Sequence, residues 1–182
     1  MRIIAGEARG RKLFAPEGVE TRPTADRVRE SLFNVIARRV DGARVLDLFA
    51  GSGALSFEAL SRGARFAVLN DPVRKACDVI RRNAESLGWQ DRILLHQLDW
   101  RRALARQGEP FDLVFLDPPY RMAAVCGEVA AQLHTRGLLS GDALLVMEHL
   151  EKAPPILPDG FCAVDARRYG DTAITLVQLE DA

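Results

Sequence analysis

The chain has 182 residues, 48% of them hydrophobic and 27% charged, with 25 Lys and Arg balancing 25 Asp and Glu. That length suits one domain with a real core, and the neutral sum argues against a uniformly cationic nucleic-acid binder. There is no run of eighteen apolar residues for a membrane span and no long apolar stretch at the N-terminus for a secretory signal, while Cys77, Cys126 and Cys162, like His96, His134 and His149, are too scattered for a disulfide framework or a metal site.

In chain order, residues 1–23 read as strands and turns, with glycines at 6, 10 and 18 and prolines at 16 and 23. This stretch starts a basic N-terminal extension, 1–40. Arg2, Arg9, Arg11, Lys12, Arg22, Arg27, Arg29, Arg38 and Arg39 there outnumber Glu7, Glu17, Glu20, Asp26 and Glu30. A basic arm on a neutral body suits phosphate contacts, and a merely solvated surface is the competing explanation. Thr24 can cap a helix after Pro23, and Val28, Leu32, Val35 and Ile36 carry an apolar stripe at helical spacing to about residue 39.

From residue 43 strands alternate with helices. Strands are expected at 44–48, 66–70, 93–97, 111–116 and 143–147, with helices at 54–62, 73–87 and 125–133. Gly88 stops the second of these helices, and 111–116 is apolar enough to be buried on both faces. Segments 162–169 and 172–179 flank Gly170-Asp171, a hairpin signal. The expected fold is therefore α/β: a mostly parallel sheet with helices on both faces in residues 41–182, closed by an antiparallel hairpin, forming one compact unit with the extension.

Four acids lie at or just past expected strand ends: Asp47, Asp71, Asp99 and Asp117. In an open parallel sheet that is where ligands bind. Asp47 opens Asp47-Leu48-Phe49-Ala50-Gly51-Ser52-Gly53, a glycine turn that lets the backbone approach a ligand. The dinucleotide fingerprint is broken by Ser56, and a carboxylate there suits a cation such as the ammonium of S-adenosylmethionine; a helix-capping aspartate is the structural alternative. Asp71, with Asn70 beside it, can accept ribose hydroxyls, or cap a helix before Pro72. Asp99, between Leu98 and Trp100, can accept from an adenine amine, or cap the next helix; Trp100 can wall the adenine or pack in the core.

Asp117-Pro118-Pro119-Tyr120 is the sharpest motif. Paired prolines fix the backbone where a strand leaves the sheet. The Asp117 carboxylate and the Pro118 carbonyl can each accept one hydrogen of a base amine, aiming its nitrogen at a methyl donor, while Tyr120 stacks on the base. A bland proline turn is the alternative.

These motifs resemble the class I amino-methyltransferases, and the likeness extends further. Met1 through Gly6 with Gly10 through Leu13, Thr21 through Asn34, Leu46 through Ala64 and Arg168 through Thr172 resemble the RsmD-type 16S ribosomal RNA guanine-N2 methyltransferases over nearly the whole chain. The resemblance implies a cytoplasmic bacterial enzyme with a seven-stranded Rossmann-like methyltransferase sheet. Its cofactor would be S-adenosyl-L-methionine and its partner the RNA of the small ribosomal subunit or an assembly intermediate, with no metal. It assigns Asp47 and the turn Phe49, Ala50, Gly51, Ser52, Gly53 to the methionine end, Asn70 and Asp71 to ribose, and Leu98, Asp99 and Trp100 to adenine. Asp117, Pro118, Pro119 and Tyr120 fall at the target amine. Asn70 and Trp100 depart from the residues usual in such enzymes. Arg9, Arg11, Lys12, Arg22, Pro23 and Thr24 are expected RNA contacts, extended by Arg167, Arg168 and Tyr169 unless these only finish a strand.

The expected reaction is direct methyl transfer in one displacement. No cysteine adjoins the Asp-Pro-Pro-Tyr motif in sequence, which disfavours the thiolate chemistry used on cytosine carbon. The rivals are a DNA adenine-N6 or cytosine-N4 enzyme, disfavoured by the lack of an added recognition domain, and a non-catalytic ribosome-assembly module, disfavoured by the four placed carboxylates.

Overall fold

A computed structural model describes residues 1–16, 23–119, 122 and 124–180, with nothing said of the side chains of 23–25. Seven strands form one sheet: β1 (Arg44–Asp47), β2 (Phe66–Asn70), β3 (Ile93–His96), β4 (Phe111–Leu116), β5 (Leu139–Leu150), β6 (Phe161–Tyr169) and β7 (Thr172–Leu179). Their order is β3-β2-β1-β4-β5-β7-β6. The first five pair in parallel, whereas β7 runs antiparallel to both β5 and β6. The closing hairpin thus does add antiparallel strands, but β7 lies inside and β6 takes the edge. The order reverses between β1 and β4, which opens a crevice beyond the carboxyl ends of those two strands.

Helices cover both faces. On one lie α1 (Pro23–Val35), α2 (Ala54–Ser61) and α3 (Arg74–Leu87), burying Phe33, Phe57, Leu60 and Ile80 against Leu113, Phe115 and Val146. On the other lie α4 (Trp100–Leu104) and α5 (Val125–Thr135), burying Leu104, Val129 and Leu133 against Leu46, Val114, Leu116 and Met147. Successive residues of β4 and β5 therefore feed opposite faces, as the pleat dictates. α1 begins at Pro23, so proline occupies the first helical position, where its missing N–H costs nothing, and Thr24 lies inside the helix, not before it. β5 is much longer than its apolar stretch 143–147, because both of its edges are paired, to β4 and β7.

The N-terminal residues are not a loose arm. Arg2 pairs with Lys12 in an antiparallel bridge, and the turn between them is pinned to α2 and α3. Glu58, fully buried on α2, accepts from the backbone N–H groups of Ile4 (2.8 Å) and Ala5 (3.1 Å) and from Arg62 Nε (2.7 Å), with Arg29 Nε 3.7 Å away. Ser61 Oγ donates to the Ala5 carbonyl and accepts from the Ala8 N–H. Gly6, at φ +83°, passes so close that a Cβ there would lie 1.8 Å from the Ser61 carbonyl oxygen. Asn83, fully buried on α3, holds both backbone groups of Phe14 and also donates to the Ser52 carbonyl in the glycine turn (3.1 Å). The extension is thereby bolted to the turn that shapes the site.

Candidate active site

A cleft of about 470 Å³ lies at the β1/β4 switch point, walled by Phe49, Gly51, Asn70, Asp71, Pro72, Val73, Asp99, Trp100, Asp117, Pro118, Pro119 and Met122. The topology thus gathers residues spread over more than seventy positions into one crevice. Asp71, Asp99 and Asp117 all reach it. Asp47 sits just beneath, 2% exposed, with Ser56 Oγ donating to its Oδ2 at 2.9 Å. Burial first, then the charges of Asp117 and Asp71, raise the Asp47 carboxyl to about 7.

The turn after β1 is held from several sides. Gly53 (φ +78°) starts α2, and a Cβ there would meet Phe57 Cε2 at 2.7 Å and Leu69 Cδ2 at 3.0 Å. Gly51 (φ +55°) faces open space. Gly53→Ala should therefore cost roughly 2 kcal/mol or more, from left-handed backbone and steric overlap together, while Gly51→Ala costs only the backbone part, about 1 kcal/mol. Urea unfolding of the two variants checks the order; equal losses would show that the Gly53 neighbours yield without strain.

Asp71 is pre-set by two backbone donors: the Gly51 N–H to Oδ2 (3.0 Å) and the Val73 N–H to Oδ1 (2.8 Å). Each oxygen keeps a lone pair for a ligand hydroxyl. Asn70 is different. Its amide donates to the Leu48 and Leu98 carbonyls, both at 3.1 Å, and accepts from the Leu98 N–H at 3.2 Å. The side chain is spent on tying the loops after β1 and β3 together, which leaves Asp71 as the neighbouring side chain with acceptor capacity toward the cleft. Asp99 caps α4 by accepting from the Arg101 N–H at 3.0 Å, which leaves its other oxygen toward the cleft. Capping and ligand contact are thus compatible at both Asp71 and Asp99. Trp100 is 3% exposed, and its Nε1 has no partner among the described residues although the residue lines the cleft. A buried, unspent N–H in a residue lining the crevice fits a ligand acceptor.

At the far wall, Asp117 follows β4 with its surface open to the cleft, and the protein packed around its carboxyl pushes it up to about 6. Pro118 is buried, and the Pro119 carbonyl accepts from the Met122 N–H at 2.7 Å, which fixes the exit of the turn. Tyr120 lies outside the described residues. Cys126, in the first turn of α5, lies near enough to feel the Asp117 charge; burial foremost, with that charge, raises the thiol to about 12. Its thiolate is therefore out of reach at neutral pH.

Of the expected RNA contacts, the described residues Arg9, Arg11 and Lys12 do not line the cleft. Arg9, Arg11 and Lys12 are exposed on the N-terminal turn, where Arg11 donates to the Ser86 carbonyl. Arg22 lies outside the described residues, as do the side chains of Pro23 and Thr24. Arg167 and Arg168 are engaged by Asp165 (2.9 Å) and Glu151 (3.0 Å), and the Tyr169 hydroxyl lies 2.8 Å from Ser31 Oγ, so these three do finish a strand and its packing. Among the described residues no group of His, Cys, Asp and Glu could hold a metal, and no helix is long and apolar enough to cross a membrane. Sequence reasoning missed Glu58 and Asn83. The one available signal was a polar residue set among apolar neighbours, as Asn83 is among Ile80, Ala84 and Leu87.

A sheet of this order, with acids ending β1 and β2, another capping α4, and Asp-Pro-Pro leaving β4, defines a class I methyltransferase. The chain belongs to the family described as conserved hypothetical protein 95, which matches residues 1–178. It is 38% identical over 181 residues to ribosomal RNA small subunit methyltransferase D of Escherichia coli K12, covering 99% of this chain and 90% of that protein. Identity to the protein of the same name from Haemophilus influenzae is 33%, covering 98% and 93%. A solved Escherichia coli structure named as a candidate methyltransferase, yhhF, superposes with a TM-score of 0.88 at 36% identity, covering 99% of this chain and 98% of that one.

Proposed function

We propose that this chain transfers the methyl group of S-adenosylmethionine to the N2 amine of a guanine in 16S ribosomal RNA, in the cytoplasm, on the small subunit or an assembly intermediate. The observation that carries the reading is one crevice with Asp71 and Asp99 along one side and the rigid Asp117-Pro118-Pro119 wall on the other. The residues fit the cofactor: Asp71 for the ribose diol, Asp99 and the unspent Trp100 N–H for adenine, Asp47 and the Gly51–Gly53 turn for the methionine end. When bound, the cofactor supplies an electrophilic sulfonium methyl.

The protein's own part is orientation and charge. Asp117 and the Pro118 carbonyl each accept a hydrogen of the base amine, which turns the nitrogen lone pair toward the methyl and stabilises the nitrogen as it becomes positive. One amine proton then leaves, and a carboxyl raised to about 6 is matched to holding it near neutral pH. A base within folded RNA has to be turned out to reach this wall. Exposed Arg9, Arg11 and Lys12, with Arg82 stacked 3.6 Å over the Phe14 ring, support a phosphate-contacting role for the N-terminal unit, residues 1–40.

The test is a labelled methyl-transfer assay on small subunits from cells lacking the protein, followed by nucleoside analysis. N2-methylguanosine is expected; label only in DNA or protein offered in parallel would overturn the RNA substrate.

Asp47 gives a pH signature. Its folded value of about 7 lies above the unfolded carboxylate range, so the ligand-free protein loses stability as pH rises toward and through 7. A ligand ammonium needs the ionised form, so cofactor affinity should fall as pH drops below 7, approaching tenfold per pH unit, and binding should release about half a proton at pH 7 and about one proton at pH 6. Calorimetry in buffers of different ionisation enthalpy reads that proton. Zero release would show that Asp47 does not ionise on binding.

A further inference from the structure

Glu148 stands at the carboxyl end of β5, one residue past the Leu116↔Met147 pair, and so level with Asp117 across the β4/β5 ladder. Leu144 and Val146, two and four residues before it, pack on the face that holds Phe115, and its antiparallel partner Ile174 packs there too. Glu148 therefore emerges on the α1 side of the sheet, next to Asp117. α1 runs with its first residues toward this rim: Arg39, just after its far end, reaches Asp142 near the start of β5 at 2.8 Å. Glu148 is half-buried, yet its carboxylate makes no hydrogen bond or ion pair with any described residue. Arg167 and Arg168 on the neighbouring hairpin are taken by Asp165 and Glu151. A half-buried carboxylate left beside a second carboxylate is unfavourable unless something with N–H groups comes between them. Burial and the Asp117 charge raise Glu148 to about 7, which marks the repulsion such a donor would relieve.

The cofactor cleft includes Asp117 but not Glu148. Asp117 is thus the shared wall, with the cofactor on one side and Glu148 on the other, and the target base has to enter on the Glu148 side. A guanine presents two kinds of donor on adjacent atoms of one edge, N1–H and the N2 amine. Adenine, cytosine and 2-aminopurine have an acceptor at the ring nitrogen beside their amine. A carboxylate next to the amine acceptor therefore discriminates by sign: it accepts from guanine N1–H and repels a ring-nitrogen lone pair.

We infer that Glu148 is the base-selecting residue of this enzyme, accepting the N1–H of the target guanine while Asp117 accepts from its N2 amine. The inference rests on the assignment of the crevice to a guanine amine. It adds what the Asp-Pro-Pro wall cannot provide, since that wall grips an amine of any base.

The experiment uses the full chain at pH 8 and small-subunit particles reconstituted with 16S RNA whose mapped target base is either guanine or, by splinted ligation, 2-aminopurine. The latter keeps the same amine and replaces N1–H by an acceptor. kcat/KM is measured on both for the wild type, Glu148→Gln and Glu148→Ala. The wild type should prefer guanine by about a hundredfold or more, as sites that hydrogen-bond a donor reject the analogue lacking it. Glu148→Gln, whose amide can donate to N1, should bring the ratio to within roughly tenfold by raising activity on 2-aminopurine above wild type. Glu148→Ala should lose guanine activity without gaining the analogue. If both variants lower the two activities in parallel, leaving the ratio unchanged, Glu148 only supports the fold and the inference is overturned. If the wild type methylates neither base, the assignment of the crevice itself fails, and this inference with it.

Discussion

Asp117→Ala should lower kcat by a factor of about a thousand or more while leaving the dissociation constant of S-adenosylmethionine within roughly threefold. The reason is the division of the crevice. On the proposed assignment, contacts to ribose and adenine come from Asp71, Asp99 and Trp100, which stay in place, and Asp71 is held by backbone donors that do not involve Asp117. On the same assignment Asp117 meets only the reacting amine, whose positive charge develops in the transition state. Losing an acceptor used there lowers turnover without weakening ground-state binding. Truncation also relieves Glu148 and Asp47 of a neighbouring charge, so the variant should be at least as stable as the wild type near neutral pH. Single-turnover methyl transfer and equilibrium cofactor binding check this. Wild-type turnover would remove Asp117 from the chemistry, and a collapse of cofactor binding would place it on the other side of the crevice.

Glu58→Ala should destabilise the protein by about 3–5 kcal/mol, the cost typical of breaking a buried charge network by removing one partner. Glu58 is fully buried, and Arg29 opposite it is 6% exposed. Without the carboxylate, the N–H groups of Ile4 and Ala5 lose their acceptor, and the buried Arg29 guanidinium is left with Asp26 alone as counter-charge, at 3.0 Å. The N-terminal turn should then loosen first, held only by its hydrogen bonds to Ser61, Asn83, Ser86 and Arg29 and by the Glu7–Arg92 ion pair. Asn83 also grips the Ser52 carbonyl, and Ser52 Oγ lies 3.8 Å from Met1 Sδ. Cofactor affinity should therefore fall together with stability. Urea unfolding, and proteolysis of residues 1–16 under native conditions, measure the two effects. A loss below about 1 kcal/mol would show that the clamp adds nothing beyond ordinary packing.

The alternation of strand and helix after residue 43, the glycine turn and the Asp-Pro-Pro exit are local. Each depends on side-chain period or on the backbone freedom of particular residues, so β2, β4 and β7 begin and end where the sequence pattern puts them. The position of the acids at strand ends followed from the same pattern, and with it the crevice. Element ends were less legible where pairing decides them. β5 extends well beyond its apolar stretch because β4 and β7 supply partners on both edges, and α1 starts at Pro23 without needing Thr24 as its cap.

By itself, then, the sequence determined the fold class, the crevice and most of its walls, because those depend on short-range periodicity and on acids adjoining turns. Only the tertiary structure decided what each polar group is free to do. Asn70 reads as a ligand residue until its amide is found spent on the Leu48 and Leu98 carbonyls. Residues 1–16 read as an arm until Glu58 and Asn83, more than forty positions away in the chain, are found holding it. Glu148 lies one residue past the expected strand 143–147 and draws no notice until β5 sets it level with Asp117. Hydrogen-bond satisfaction and the desolvation of charge belong to neighbours distant in sequence, and packing alone brings those neighbours together.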